Sequence, residues 1–149
     1  MKRIMGRVAA VVAAAAMAPI LATATVQAAP GTVYFNAAGL SCAIAGDGTV
    51  GCDFGSPMRL QYSFLPIPIP VNEIVIDRPA LPAHPTFDAG TPYTRPGGNP
   101  GLESVATGTG PWGPYIEHAG ARCEVGFHGS FTCTAKGHAF TSFGGTLSA

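Results

Sequence analysis

The stretch Cys42-Ala43-Ile44-Ala45-Gly46-Asp47-Gly48-Thr49-Val50-Gly51-Cys52 decides the fold, because the chain states it again between Cys123 and Cys133. Extended back to Tyr34, six of nineteen positions recur at an offset of 81 residues. Tyr34, Ala38, Gly39, Cys42, Gly48 and Cys52 fall on Tyr115, Ala119, Gly120, Cys123, Gly129 and Cys133. Phe35, Ile44, Thr49 and Val50 meet the conservative partners Ile116, Val125, Ser130 and Phe131. Roughly one or two identities would arise by chance at this composition. The two stretches therefore read as copies of one unit, covering residues 32–54 and 113–135.

Each copy reads as a β-hairpin. Cys42, Ile44, Val50 and Cys52 alternate with small or polar residues, which places them on one face of a strand pair. Gly46-Asp47-Gly48 suits a three-residue loop whose last position is left-handed. If Ala45 pairs with Thr49, then Ile44 faces Val50 and Cys42 faces Cys52; Gly126 with Ser130 leads likewise to Cys123 opposite Cys133. Opposed residues have Cα atoms about 4.5–5.5 Å apart, within the reach of a disulfide. Four cysteines allow three connectivities, and this register favours the one made of two local bridges. The other use of four cysteines, a zinc site, wants thiolates in a reducing compartment and close C-x-x-C pairs; that spacing does not occur here.

Outward from the hairpins, Thr32–Asn36 and Tyr115–Glu117 read as lead strands, each ending in a turn at Ala-Gly. Each unit becomes a three-stranded meander, too small to bury its apolar face alone. The expected class is all-β, with two disulfide-stapled meanders packed as a small sandwich or barrel.

Residues 55–112 join them as a proline-rich crossover. Twelve of the thirteen prolines beyond residue 28 lie between Gly55 and Pro114, which excludes helix there and favours extended chain. Met58–Phe64 and Glu73–Asp77 read as strands by alternation and β-branching. Leu65, Ile67, Ile69, Val71 and Leu81 are expected to bury the segment against the sheet and cover an edge; the same prolines also suit a polyproline ligand for a partner. Ala89–Gly101 reads as an exposed loop with Gly97-Gly98-Asn99-Pro100 as its loosest part. Leu102–Val105 and Ala139–Phe143 read as further short strands.

Lys2, Arg3 and Arg7 precede an apolar run from Val8 to Leu21 and the small residues around Ala28. This is a secretory signal over residues 1–28, leaving a single domain over 29–149. The apolar run is short for a membrane span, and no cysteine stands at the cleavage site for a lipid anchor. The expected product is exported, as an extracellular or cell-envelope protein. It keeps five basic residues against eight acids, a formal charge of −3. Nucleic acid and anionic membrane need clustered Lys and Arg, so neither is an expected partner.

Chemistry-bearing residues are sparse. His118, His128 and His138 lie in or beside the second hairpin, and converging imidazoles there would hold a metal. Yet Ala37 and Asp47 replace His118 and His128 in the first copy, so the hairpin does not need them. Glu117 and Glu124 form an acid–base pair only if a cleft shifts their pKa values. Ser130 lacks the context of a nucleophile elbow. No catalytic residue, metal or cofactor is assigned. Trp112, flanked by glycine and proline, is either a lid over one end of the core, the favoured reading, or an exposed anchor for a partner.

The repeated segments Cys42-Ala43-Ile44-Ala45-Gly46-Asp47-Gly48-Thr49-Val50-Gly51-Cys52-Asp53 and Phe131-Thr132-Cys133-Thr134-Ala135-Lys136-Gly137-His138-Ala139-Phe140 resemble motifs of small exported proteins of mycobacteria and related actinobacteria. The resemblance covers about a third of the mature chain and implies export and duplication, without an activity. The expected function is a non-enzymatic binding or structural module, with an unidentified protein or envelope component as partner. The alternative is a small secreted hydrolase or metal-dependent enzyme built on His118, His128 and His138.

Overall fold

Alternating side chains and X-Gly turns set the local structure of residues 31–149, which the computed structural model describes. The expected signal peptide lies outside these residues. In the first half, β1 (Val33–Ala37), β2 (Leu40–Ile44) and β3 (Val50–Gln61) form an antiparallel meander. In the second half, β6 (Pro114–His118), β7 (Ala121–Val125) and β8 (Phe131–Ala135) repeat it, and β9 (His138–Phe143) extends it. Tight turns at Ala38-Gly39, Ala119-Gly120 and Lys136-Gly137 have positive φ at both residues. Such turns match the right-handed twist of the strands they join.

Both hairpins take the expected register. Ala45 donates to Thr49 O at 2.8 Å and Gly126 to Ser130 O at 2.7 Å. Cys42 lies opposite Cys52 and Cys123 opposite Cys133, with Cα separations of 4.0 and 4.1 Å, and each pair is disulfide-bonded. All four cysteines are fully buried.

The halves are joined by an element that alternation did not reveal. β10 (Thr146–Ser148) turns back from β9 at Gly144-Gly145 and runs parallel to β3, with Leu147 beside Leu60. The order is β1-β2-β3-β10-β9-β8-β7-β6-β5, where β5 is Gly108–Thr109. β4 (Ile69–Ile76) pairs along both parts of β3, so β2 and β10 share the opposite edge end to end. Between those parts the pairing register shifts from Asp53 to Met58, at Gly55-Ser56-Pro57. Proline has no N–H for the ladder, and a bulge increases local twist. The whole sheet curls into a half-barrel. Phe35 of β1 meets Phe131 of β8 edge-on across the interior at 6.2 Å. Ile44, Val50, Leu60, Ile74, Ile76, Ile116, Phe140 and Leu147 complete that core.

The crossover departs from expectation in four respects. β3 runs through the expected boundary at residue 54, because the alternation of Met58–Gln61 continues its ladder. Leu102–Val105 is one turn of helix, α1, and not a strand. The spacing of three puts Leu102, 1% exposed, and Val105 on one face against the core. Val71 is buried and Leu65 and Ile69 pack against the core, but Ile67 and Leu81 stay outside, 70% and 41% exposed. Prolines on both sides of Ile67 fix its backbone without pointing its side chain at the sheet.

The fourth departure is Asn99, expected in the loosest part of an exposed loop and found buried. Its Nδ2 lies within hydrogen-bond reach of Phe35 O, Cys42 O and Tyr93 O, at 3.2, 3.1 and 2.8 Å. Its Oδ1 accepts from Arg95 N at 2.9 Å, and its own carbonyl accepts from Asn36 Nδ2 at 2.7 Å. Asn99 thereby fastens the segment after β4 to β1 and β2. That segment covers the outer face of the first half, where Ala43, Gly51 and Val75 are buried. The Tyr93 ring lies directly on Gly51, where a Cβ would sit 2.1 Å from it.

Candidate functional site: an aromatic corner beside the second hairpin tip

The two hairpin tips differ. In the first, Asp47 Oδ1 accepts from Thr49 N at 2.9 Å and Oδ2 from Thr49 Oγ1 at 3.0 Å. The Thr49 amide foremost, with Thr49 Oγ1 and Lys136 assisting against a small burial cost, holds the Asp47 carboxyl below its ordinary value. This tip docks on the other half. Lys136 Nζ donates to Asp47 O at 3.0 Å, and a Cβ on Gly48 would lie 2.5 Å from Ala119 O.

The second tip displays an aromatic group. Phe127-His128-Gly129 forms a short 3₁₀ turn in which His128 takes the left-handed conformation, φ 55°. Phe127 stays 55% exposed and packs edge-on against Trp112 at 4.7 Å and against the His128 ring at 3.8 Å. Trp112 sits in the turn closed by Gly110 N donating to Gly113 O at 2.8 Å. It is 59% exposed. The lid reading is therefore corrected: this loop lies along the Val125 end of β7, where Gly113 approaches Val125 closely, and so outside the core.

The histidines are engaged separately. His118 Nε2 reaches Gly31 O, and His138 Nε2 lies 2.9 Å from Pro79 O, so one ties the second half to the start of the first and the other to the crossover. His128 belongs to the aromatic corner. His84 Nδ1 lies 2.9 Å from Pro82 O, while its Nε2 stands 3.6 Å from Asp77. Among the described residues, no group of three or more His, Cys, Asp and Glu is placed to hold a metal.

Glu117 and Glu124 are both committed to Arg122. Its Nη1 donates to Glu117 at 2.6 Å and its Nη2 to Glu124 at 2.8 Å, while the guanidinium lies 3.7 Å over the Tyr115 ring. The bonds to Glu124 and then Glu117 push the guanidinium pKa further up. The two carboxylates thus neutralise a fixed cation on an open sheet face.

One pocket of about 320 Å³ lies between the β1–β2 turn, the β3 bulge and the β9–β10 turn. Its walls, including Leu40, Phe54, Met58 and Phe143, carry no titratable side chain. It also presents the Ser56 and Ser142 hydroxyls, with no acid or base in the wall to activate them. The aromatic corner is the stronger candidate site: Phe127 contacts both Trp112 and His128, and Trp112 and Phe127 are each more than half exposed. Trp112 was legible as a candidate, whereas Phe127 was not, because its first-copy counterpart is Gly46. Comparison of the chain with protein-family models, with curated proteins and with solved structures returns no match.

Proposed function

We propose that this chain is an exported, non-enzymatic binding or structural module that works outside the membrane, with Trp112 and Phe127 as its contact surface. The single observation that carries the reading is the exposed edge-on pair they form. Solvent-exposed aromatics held in place by neighbours are pre-ordered for contact and dominate interface energetics. Two buried disulfides favour an oxidising compartment. No helix among the described residues is long and apolar enough to cross a membrane. We further propose that the halves descend from one duplicated unit, supported by turns of like φ at Ala38-Gly39 and Ala119-Gly120 and by equivalent cystine positions. The rival reading, a secreted hydrolase or metal-dependent enzyme, requires His118, His128 and His138 to meet, and their separate engagements give it no support.

The test is retention from cell-envelope extract by residues 29–149 as wild type, Trp112→Ala and Phe127→Ala. The expected outcome is a component retained by the wild type and lost from both variants. Equal retention by all three removes the aromatic corner from the reading; retention by none removes binding altogether.

A further inference from the structure

The outer face of the first half holds two buried acids side by side. Asp53 of β3 and Glu73 of β4 are direct antiparallel partners, 4% and 3% exposed. Opposed side chains of this kind have Cβ atoms about 4.5–5.5 Å apart. Each acid spends one oxygen on the covering segment. Asp53 Oδ2 accepts from Tyr93 N at 2.8 Å and from Thr94 Oγ1 at 2.7 Å. Glu73 Oε1 accepts from Thr86 N at 2.5 Å, Phe87 N at 2.9 Å and Thr86 Oγ1 at 3.2 Å. The other two oxygens, Asp53 Oδ1 and Glu73 Oε2, are buried and have no hydrogen-bond partner among the described residues.

We propose that Asp53 and Glu73 share one proton between Oδ1 and Oε2, and that this proton is a pH-sensitive latch holding residues 86–94 onto the sheet. Two ionised carboxylates in this position would bury two like charges, whereas one proton supplies a donor that satisfies both orphaned oxygens. Among the described residues, the surroundings offer no other compensation. Opposite Asp53 on β2 stands Ser41, and the covering segment brings the Tyr93 phenol. Asp77 and Asp88 add only negative charge: with Glu73 and Asp53 they raise the Tyr93 phenol, whose burial is the largest cause. His84 faces Asp77 and Arg95 lies 6.0 Å over the Tyr34 ring; among the described residues no Lys, Arg or His pairs with Asp53 or Glu73. A calcium ion takes six to eight oxygens, and two free carboxylate oxygens do not make that shell.

The direction of the pH effect follows. Desolvation first, and Glu73 in addition, push the Asp53 carboxyl above its ordinary value against the bonds from Thr94 and Tyr93. A group raised on folding stabilises fully below its unfolded pKa, and that contribution is lost as the pH rises through the folded value. The proton then leaves to solvent, the pair carries two charges, and the segment loosens. A proton shared in this way makes the two titration steps properties of the pair and not of either residue.

Carbon-detected NMR titration of both carboxyls in the wild-type protein tests the claim directly. One step is expected in the ordinary carboxylate range and one well above it; two ordinary steps would overturn the proposal. The intrinsic-rate-corrected protection factors of the Thr86, Phe87 and Tyr93 amides should fall roughly tenfold for each unit by which the upper step is raised. Asp53→Asn and Glu73→Gln each place an amide donor where the proton sits, so each should keep protection high and independent of pH. The double variant sets two NH₂ groups face to face and should lose protection at every pH. Unchanged pH dependence in both single variants would sink the latch. A rise in thermal midpoint with added calcium that Asp53→Asn abolishes would show a cation in place of the proton and overturn the proposal equally.

Discussion

At the scale of single residues, the fold depends on places where one atom too many has nowhere to go. Gly48 combines φ +79° with close approach to Ala119 O. Gly48→Ala should therefore cost about 1–3 kcal/mol from backbone strain alone, read as a lowered denaturation midpoint, with the contact to the second half loosened besides. Asn99 is the converse case, a side chain whose removal strands its partners. Asn99→Ala leaves the carbonyls of Phe35, Cys42 and Tyr93 without that donor, and an unmet buried group costs about 1–3 kcal/mol. The accompanying signature should be faster exchange at Tyr93 and Arg95 than at core strands. Asp47 and Asp53 predict opposite pH limbs. The lowered Asp47 carboxyl contributes stability above its unfolded pKa and loses it as the pH falls through the folded one; raised Asp53 does the reverse on the way up. Thermal midpoints of Asp47→Asn and Asp53→Asn against pH should separate the two.

At the scale of elements, the last strand is the joint. β10 is only three residues long, yet it is bonded to β9 on one side and β3 on the other. Leu147, fully buried, is its anchor. Leu147→Ala should cost about 2–5 kcal/mol, and hydrogen exchange should rise in β3 beyond the bulge before it rises in either cystine hairpin. Equal acceleration everywhere would mean that the joint is not a separate weak point. The strand had one sequence signal, Gly144-Gly145 between Phe143 and Thr146, the pattern of a two-residue hairpin turn. What followed the turn, Thr-Leu-Ser, is too short for alternation to speak, and its parallel partner is more than eighty residues away.

At the scale of the whole molecule, two similar meanders end up with different outer faces. The first presents Ala43 and Gly51 and is covered by the segment bearing Tyr93; the second presents Glu124 and Thr132 at equivalent positions, and both are partly exposed among the described residues. Small residues admit a covering chain, and charged ones keep water. Each disulfide joins residues ten apart and should contribute roughly 2.5–3 kcal/mol on the chain-entropy model. The variants Cys42→Ala/Cys52→Ala and Cys123→Ala/Cys133→Ala should thus lose similar amounts in denaturant titrations, although their surroundings differ. The sequence by itself determined the hairpins, their register and their staples, because alternation, turn glycines and opposed cysteines act over a few residues. It also marked Trp112 as a candidate. Only the tertiary structure decided that Trp112 faces solvent with Phe127, that Asn99 is buried, that Asp53 and Glu73 lie together, and that β10 joins the two halves into one sheet. Those outcomes depend on which distant backbone arrives at a given face, and packing between segments far apart in the chain leaves no local periodicity to read.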